Sequence, residues 1–159
     1  MTHLPNYTTQ IPVQKTVTEI ITLLQAHGAS KIMQEFDEDR EITAISFTLA
    51  VGPQHIPYRL PSQWPGAYWV MYPRAKAPRT WESRQEKAQR LKHEGQAKKT
   101  AWRTIFHWLV QQLGMVQMQQ ATPAQIFLPY QITDDGRTVY ERLRDTQFAL
   151  PPAQEMDAE

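Results

Sequence analysis

Between Lys31 and Leu60 the chain alternates apolar and polar residues in three short runs, and the connections between them are only a few residues long. Lys31 to Phe36 is the first run, and the polar cluster Asp37-Glu38-Asp39-Arg40 turns the chain. Glu41 to Leu49 is the second, with Ile45, Phe47 and Leu49 on one face. Gly52-Pro53 turns the chain again, and Ile56, Tyr58 and Leu60 share a face of the third, Ile56 to Leu60. Parallel neighbours need a crossover of a dozen or more residues, so these strands must run antiparallel.

What flanks the sheet reads as helix. Residues 1–15 are expected to be extended because Pro5 and Pro12 block a helix, and Thr8 to Val13 is a candidate edge strand. Thr16 then serves as a helix N-cap, with Glu19 completing a capping box. Val17, Ile20, Ile21, Leu23 and Leu24 form the apolar stripe, and Gly28 suits the left-handed position that ends the helix. After the sheet, residues 61–79 mix Pro61, Pro65, Pro73 and Pro78 with Trp64, Tyr68, Trp69 and Tyr72. This is too apolar for a free linker and is expected to be an ordered loop, with a short strand at Tyr68 to Met71.

A helix or pair of helices is expected from about Thr80 to Gln119, with Gly95 as a break. The part up to Glu94 is highly charged. In the later part Ala97, Ala101, Ile105, Trp108, Leu109 and Val116 keep helical spacing and should cover the sheet, with Trp102, Phe106 and Trp108 in the core. Thr122-Pro123 opens a short helix that Pro129 stops. Asp134-Asp135-Gly136 is a turn, and Thr138 to Asp145 a last helix with Val139, Tyr140 and Leu143 inward. The expectation is an α+β fold: an N-terminal helix, a three-stranded antiparallel sheet, then a helical C-terminal half packing on the sheet. It forms one domain over 1–148, made of helix plus sheet (1–60), the proline- and aromatic-rich loop (61–79) and the helical half (80–148). A disordered acidic tail follows at 149–159.

A chain of 159 residues buries about two-thirds of its unfolded surface, so it needs no staple. The absence of cysteine excludes disulfides, thiolate metal sites and a cysteine nucleophile, and it fits a reducing compartment. Met1 to Gln10 lacks the features of a signal peptide, and no apolar run reaches the roughly 18 residues of a membrane span. A cytoplasmic protein with no membrane partner is expected.

Charge is the most uneven property of the chain. Arg74 to Arg103 holds ten basic residues against three acids (Glu82, Glu86 and Glu94), a surplus of +7. The remainder has seven basic and thirteen acidic residues, −6, so the net charge of +1 hides a segregation. Such asymmetry marks either an anion-binding face or a solvated helix. Phosphate tracking would fall to Arg79, Arg84, Lys87, Lys98 and Lys99, and stacking on exposed bases, which suits a single strand, to Trp69 and Trp81, with Tyr72 nearby. The solvated-helix reading has its own support in the i,i+4 pairs Glu86–Arg90 and Glu94–Lys98. Arg103, on an otherwise apolar stretch of helix, calls for a carboxylate partner or an anion, with a salt bridge to the acidic remainder expected.

Catalytic signatures are missing. His3, His27, His55, His93 and His107 are scattered without zinc-site spacing, and there is no phosphate-binding loop, dinucleotide fingerprint or nucleophile elbow. Catalytic residues, metal ligands and cofactors are therefore expected to be none. The order helix, three antiparallel strands, helix is that of a double-stranded-RNA-binding domain. Lys98-Lys99-Thr100-Ala101 resembles the Lys-Lys-x-Ala that opens the second helix there, an analogy of fold only.

A broader resemblance covers nearly the whole chain. Tyr7-Thr8-Thr9 with Ile11, Lys15-Thr16, Glu19-Ile20, Gly28-Ala29 and Ile32 are its first landmarks. Ala101-Trp102-Arg103, Trp108 with Gln112, Phe127-Leu128-Pro129-Tyr130 and Gly136-Arg137-Thr138 with Tyr140 follow. Together these resemble an uncharacterised family of small phage and mobile-element proteins. The resemblance implies a bacterial host cell and an accessory role in DNA metabolism or in the contest between host and mobile element. Three functions stay open: a non-enzymatic protein that binds nucleic acid through the basic segment, an inhibitor that binds a host defence factor through the Pro- and Trp-rich segment, and an enzyme whose site assembles only in three dimensions.

Overall fold

The structure, a computed structural model, describes residues 3–149. Of the tail expected over 149–159, residues 150–159 lie outside the described residues. Helix α1 spans Val13–Ala26 and starts earlier than its capping signal suggests. Pro12 stands at the N-cap, and Thr16 is fully buried on the inner face with Val17, Ile20 and Leu24. Starting one turn earlier places a fourth position of the stripe in the core, at the cost of the side-chain cap. Glu19, no longer needed at the cap, pairs with Arg103 across the helix interface, the structural partner that arginine required. Gly28 follows the helix at φ +81°, a conformation that only glycine adopts without strain.

No strand forms at Thr8 to Val13. Residues 5–8 turn instead, and their carbonyls are met by helical side chains. Gln96 Nε2 donates to the Tyr7 and Thr9 carbonyls at 3.0 and 2.9 Å, and Thr100 Oγ1 to that of Asn6 at 3.3 Å. These bonds replace the ladder a strand would have supplied.

Strands β1 (Ser30–Phe36), β2 (Ile42–Val51) and β3 (Gln54–Pro61) form an antiparallel sheet in the order β1-β2-β3. Pairing of Ile45 with Leu60, Phe47 with Tyr58 and Leu49 with Ile56 sets the apolar residues on one face, as their alternation requires. On the other face Glu35 of β1 reaches across β2 to Arg59 of β3. The guanidinium donates in two-pronged fashion at 2.7–3.0 Å, and Ser46 of β2 donates to the same carboxylate at 3.0 Å. The ion pair thus spans all three strands, and the hydrogen bonds from Arg59 hold the Glu35 carboxyl below its ordinary range.

Residues 61–79 are not a loop with a strand. They contain helix α2, Trp64–Met71. Pro65 lies in its first turn, where the missing N–H is no loss, and Tyr68 is buried at 5 % exposure. Helix α3, Arg84–Gln117, runs unbroken through Gly95. Ser83 caps it: its hydroxyl accepts from the Glu86 N–H while Glu86 accepts from the Ser83 N–H. The far half of α3 buries Trp102, Leu109 and Leu113 against α1 and the sheet, so the helical half packs on the sheet as the periodicity predicts. Phe106 and Trp108 are partly buried against the same core.

Helix α4 (Pro123–Phe127) opens on the Thr122 capping box and passes into a turn of 3-10 helix, Leu128–Tyr130. Phe127 packs among Phe47, Tyr58 and Trp108 with ring centroids 5.4–5.9 Å apart. Asp134-Asp135-Gly136 makes the expected turn, and Thr138 caps α5 (Val139–Asp145). Tyr140 does not point inward. It is half-exposed and packs on Phe148 at 5.8 Å, because a helix of seven residues held mainly by the 3-10 turn half-buries only the side of Val139 and Leu143.

Candidate functional site

Helix α3 is longer than the core it covers. At 3.6 residues per turn, Arg84, Lys87, Leu91, Lys98, Trp102 and Leu109 lie on one stripe. The stripe is buried at Trp102 and Leu109 but open at Arg84, Lys87 and Leu91, the last 51 % exposed. The first three turns, about 16 Å of helix, therefore protrude past the sheet. Charged residues there meet water where apolar ones would have met strands.

The opposite flank of the protruding part is covered by α2 and by the connection that follows it. Tyr72 stacks on His93 with centroids 3.8 Å apart and planes within 6°. Residues 74–82 then fold back along α3 and border a half-open cavity of about 320 Å³. Arg74, Lys76, Arg79 and Trp81 line it from the connection, and Glu86, Arg90 and His93 from the helix.

Ion pairing sorts the basic residues into two groups. Arg90 is held by Glu82, with two bonds of 3.0 Å, and by Glu94 at 2.8 Å. These bonds raise the Arg90 pKa and lower that of Glu82. Lys98 bonds Glu41 at 3.0 Å and lies over the Trp64 ring at 4.9 Å, and Arg103 pairs with Glu19. Among the described residues, the other seven (Arg74, Lys76, Arg79, Arg84, Lys87, Lys92 and Lys99) form no salt bridge. The three acids of the stretch are all engaged. Glu86 serves the helix cap, and its carboxyl is lowered first by the Ser83 bonds and then by Lys76 and Arg79 nearby. Neither Glu82 nor Glu86 is thus poised as a proton donor near neutral pH.

The i,i+4 pairs expected from spacing do not form, because better partners are in reach. Glu86 turns to the cap, Lys98 to the sheet, and Arg90 takes Glu82 and Glu94 together. Arg79 and Trp81 come together at the cavity, while Arg84 and Lys87 are exposed on the first turn of α3. Lys99 is half-buried beside Lys92 in a second hollow lined by Tyr72, His93 and Gln96. Trp69 is 47 % exposed on α2, edge-on to Tyr68 and outside the cavity. Tyr72 is occupied by His93. The free cations therefore form a collar around the protruding helix and its loop rather than a single stripe. Lys98-Lys99-Thr100-Ala101 lies in the interior of α3 and opens no helix, so the double-stranded-RNA analogy fails at its one motif.

Arg74 and Lys76 are the cavity residues that spacing did not single out. They carried only a share of the basic surplus, since the path of an irregular connection is not written in periodicity. Among the described residues, no group of three or more His, Asp or Glu side chains is placed to hold a metal ion, and no helix is long and apolar enough to cross a membrane. Comparison with known protein families, with curated proteins and with solved structures gives no match to this chain.

Proposed function

We propose that this protein is a non-enzymatic accessory factor of a phage or mobile element that binds nucleic acid in the cytoplasm of the bacterial host. Contact is made through the α2–α3 connection and the protruding first three turns of α3. The observation that carries this reading is the pairing pattern. Seven of the ten basic side chains between Arg74 and Arg103 have no carboxylate partner among the described residues, and all three acids of that stretch are engaged. Cations without partners at a protruding, solvated end release counterions when they meet phosphates. The setting rests on the family resemblance of the landmark residues. Fluorescence anisotropy of the intact chain with labelled DNA and RNA tests the reading. Binding at about 50 mM salt that weakens steeply by 200 mM is expected, and no binding to either at low salt overturns it.

One observation favours a second reading, capture of a host defence protein. Trp69 and Val70 are adjacent and exposed on α2 at 47 % and 58 %, the kind of aromatic-centred patch that anchors interfaces. Here Trp69→Ala would abolish binding to the partner while leaving the fold and any nucleic-acid affinity intact. Trp64, covered by Lys98, would be silent in that assay except through folding.

A further inference from the structure

The cavity between the α2–α3 connection and the first turns of α3 combines two features that the collar alone does not. Among the described residues, its ionic groups without a salt bridge or cap to hold them are all positive. Arg90 and Glu82 hold each other, and Glu86 caps the helix. Arg74, Lys76 and Arg79 remain, all on one short connection. Among the described residues its one uncovered aromatic is Trp81, 79 % exposed, while Tyr68 is buried and the His93 ring is stacked on Tyr72. At about 320 Å³ the cavity falls at the lower end of the range for small-ligand sites. A ligand that satisfies both features carries an anionic group and a flat ring a short distance apart.

Resting on the nucleic-acid reading, the geometry points to a one-nucleotide pocket: a single unstacked nucleotide enters with its base on Trp81 and its phosphate on Arg74, Lys76 and Arg79. A base paired within a duplex offers no free face to such a site, so the ligand class is single-stranded nucleic acid or a frayed end. Arg84 and Lys87, outside the cavity, meet the neighbouring phosphates and carry no preference between strand states.

The test uses the intact chain, a labelled 12-nucleotide single strand, and the same sequence as a blunt duplex, across a salt series. Tighter binding of the single strand is expected. Trp81→Ala should weaken single-strand binding about fivefold or more without changing the salt slope. Arg79→Ala should lower the slope by about 0.7, one phosphate contact on a single strand. Exposed positions of this kind leave folding intact, and the split between affinity and slope is one that a structural defect does not produce. Equal binding of single strand and duplex overturns the pocket, as does a Trp81→Ala protein that binds like the parent. Equal competition by polyglutamate also overturns it, by showing a site for any polyanion. Failure of the parent chain to bind either probe would instead remove the nucleic-acid reading itself.

Discussion

Gly95→Ala measures whether α3 is one rigid rod. Glycine in a helix interior costs about 1 kcal/mol relative to alanine, mostly through the freedom it gives the unfolded chain. At Gly95 a Cβ would meet nothing within 4 Å, and the same is true at Gly114, which also lies inside α3. Neither substitution has a steric penalty to offset the gain, so each should stabilise by about 1 kcal/mol. The two sites are about 28 Å apart along the helix, so the double variant should gain about 2 kcal/mol. In urea titrations followed by far-ultraviolet circular dichroism, each change raises the midpoint by about 0.5 M for a slope near 2 kcal/mol/M, with the slope unchanged. Thermal midpoints rise about 2–4 °C each. Gly28→Ala is the control of opposite sign. Its Cβ is equally free in space, but φ is +81°, so about 1–2 kcal/mol is lost. If Gly95→Ala lowers the midpoint while Gly114→Ala raises it, the helix is broken at Gly95. The protruding basic turns are then not a continuation of the core helix.

Other expectations follow from single contacts. Trp102, 1 % exposed, anchors α3 on the core, so Trp102→Ala should lose about 3–5 kcal/mol in the same titrations. Glu35→Gln breaks the three-strand ion pair and should cost about 1 kcal/mol at neutral pH. Because Arg59 lowers the Glu35 pKa below its ordinary 4.5, that contribution is present above the ordinary value and disappears as pH falls through the folded one. The parent should therefore lose stability below about pH 5 more steeply than Glu35→Gln does. The Thr16 hydroxyl is buried with no hydrogen-bond partner among the described residues, so Thr16→Val should raise the thermal midpoint by a few degrees. Lys98→Ala should leave the salt slope of nucleic-acid binding unchanged, since its ammonium is held by Glu41; a slope lowered as far as by Arg84→Ala would show Lys98 to be a phosphate contact.

What the sequence made legible is what periodicity and short connections encode. The three strands, their antiparallel order and the Ile45, Phe47 and Leu49 face all follow from alternation and tight turns. The Gly28 end of α1 and the Thr122-Pro123 helix start follow from residues with one strong conformational use. Errors arose where tertiary burial competed with a local signal. Thr16 offered a cap and was drawn into the core, Gly95 offered a break that the flanking helix overrode, and the prolines near Trp64 concealed a helix because Pro65 occupies a first turn. At the candidate site the charge surplus was legible but its pairing was not. Lys98 meets Glu41, and Arg90 meets Glu82, only because the chain folds back in space, and spacing along one helix cannot report that.

The proposed role of the collar is tested most directly by the salt dependence of nucleic-acid binding in the parent and in a triple variant, Arg79→Ala with Arg84→Ala and Lys87→Ala. All three residues are exposed and without salt-bridge partners among the described residues, so the fold should be unchanged by circular dichroism. The plot of log affinity against log salt for a single strand should lose about 2 from its slope, some 0.7 for each phosphate contact removed. Affinity should also fall sharply at 50 mM salt. A triple variant that binds with the parent's affinity and slope would contradict the claim that these cations meet phosphate.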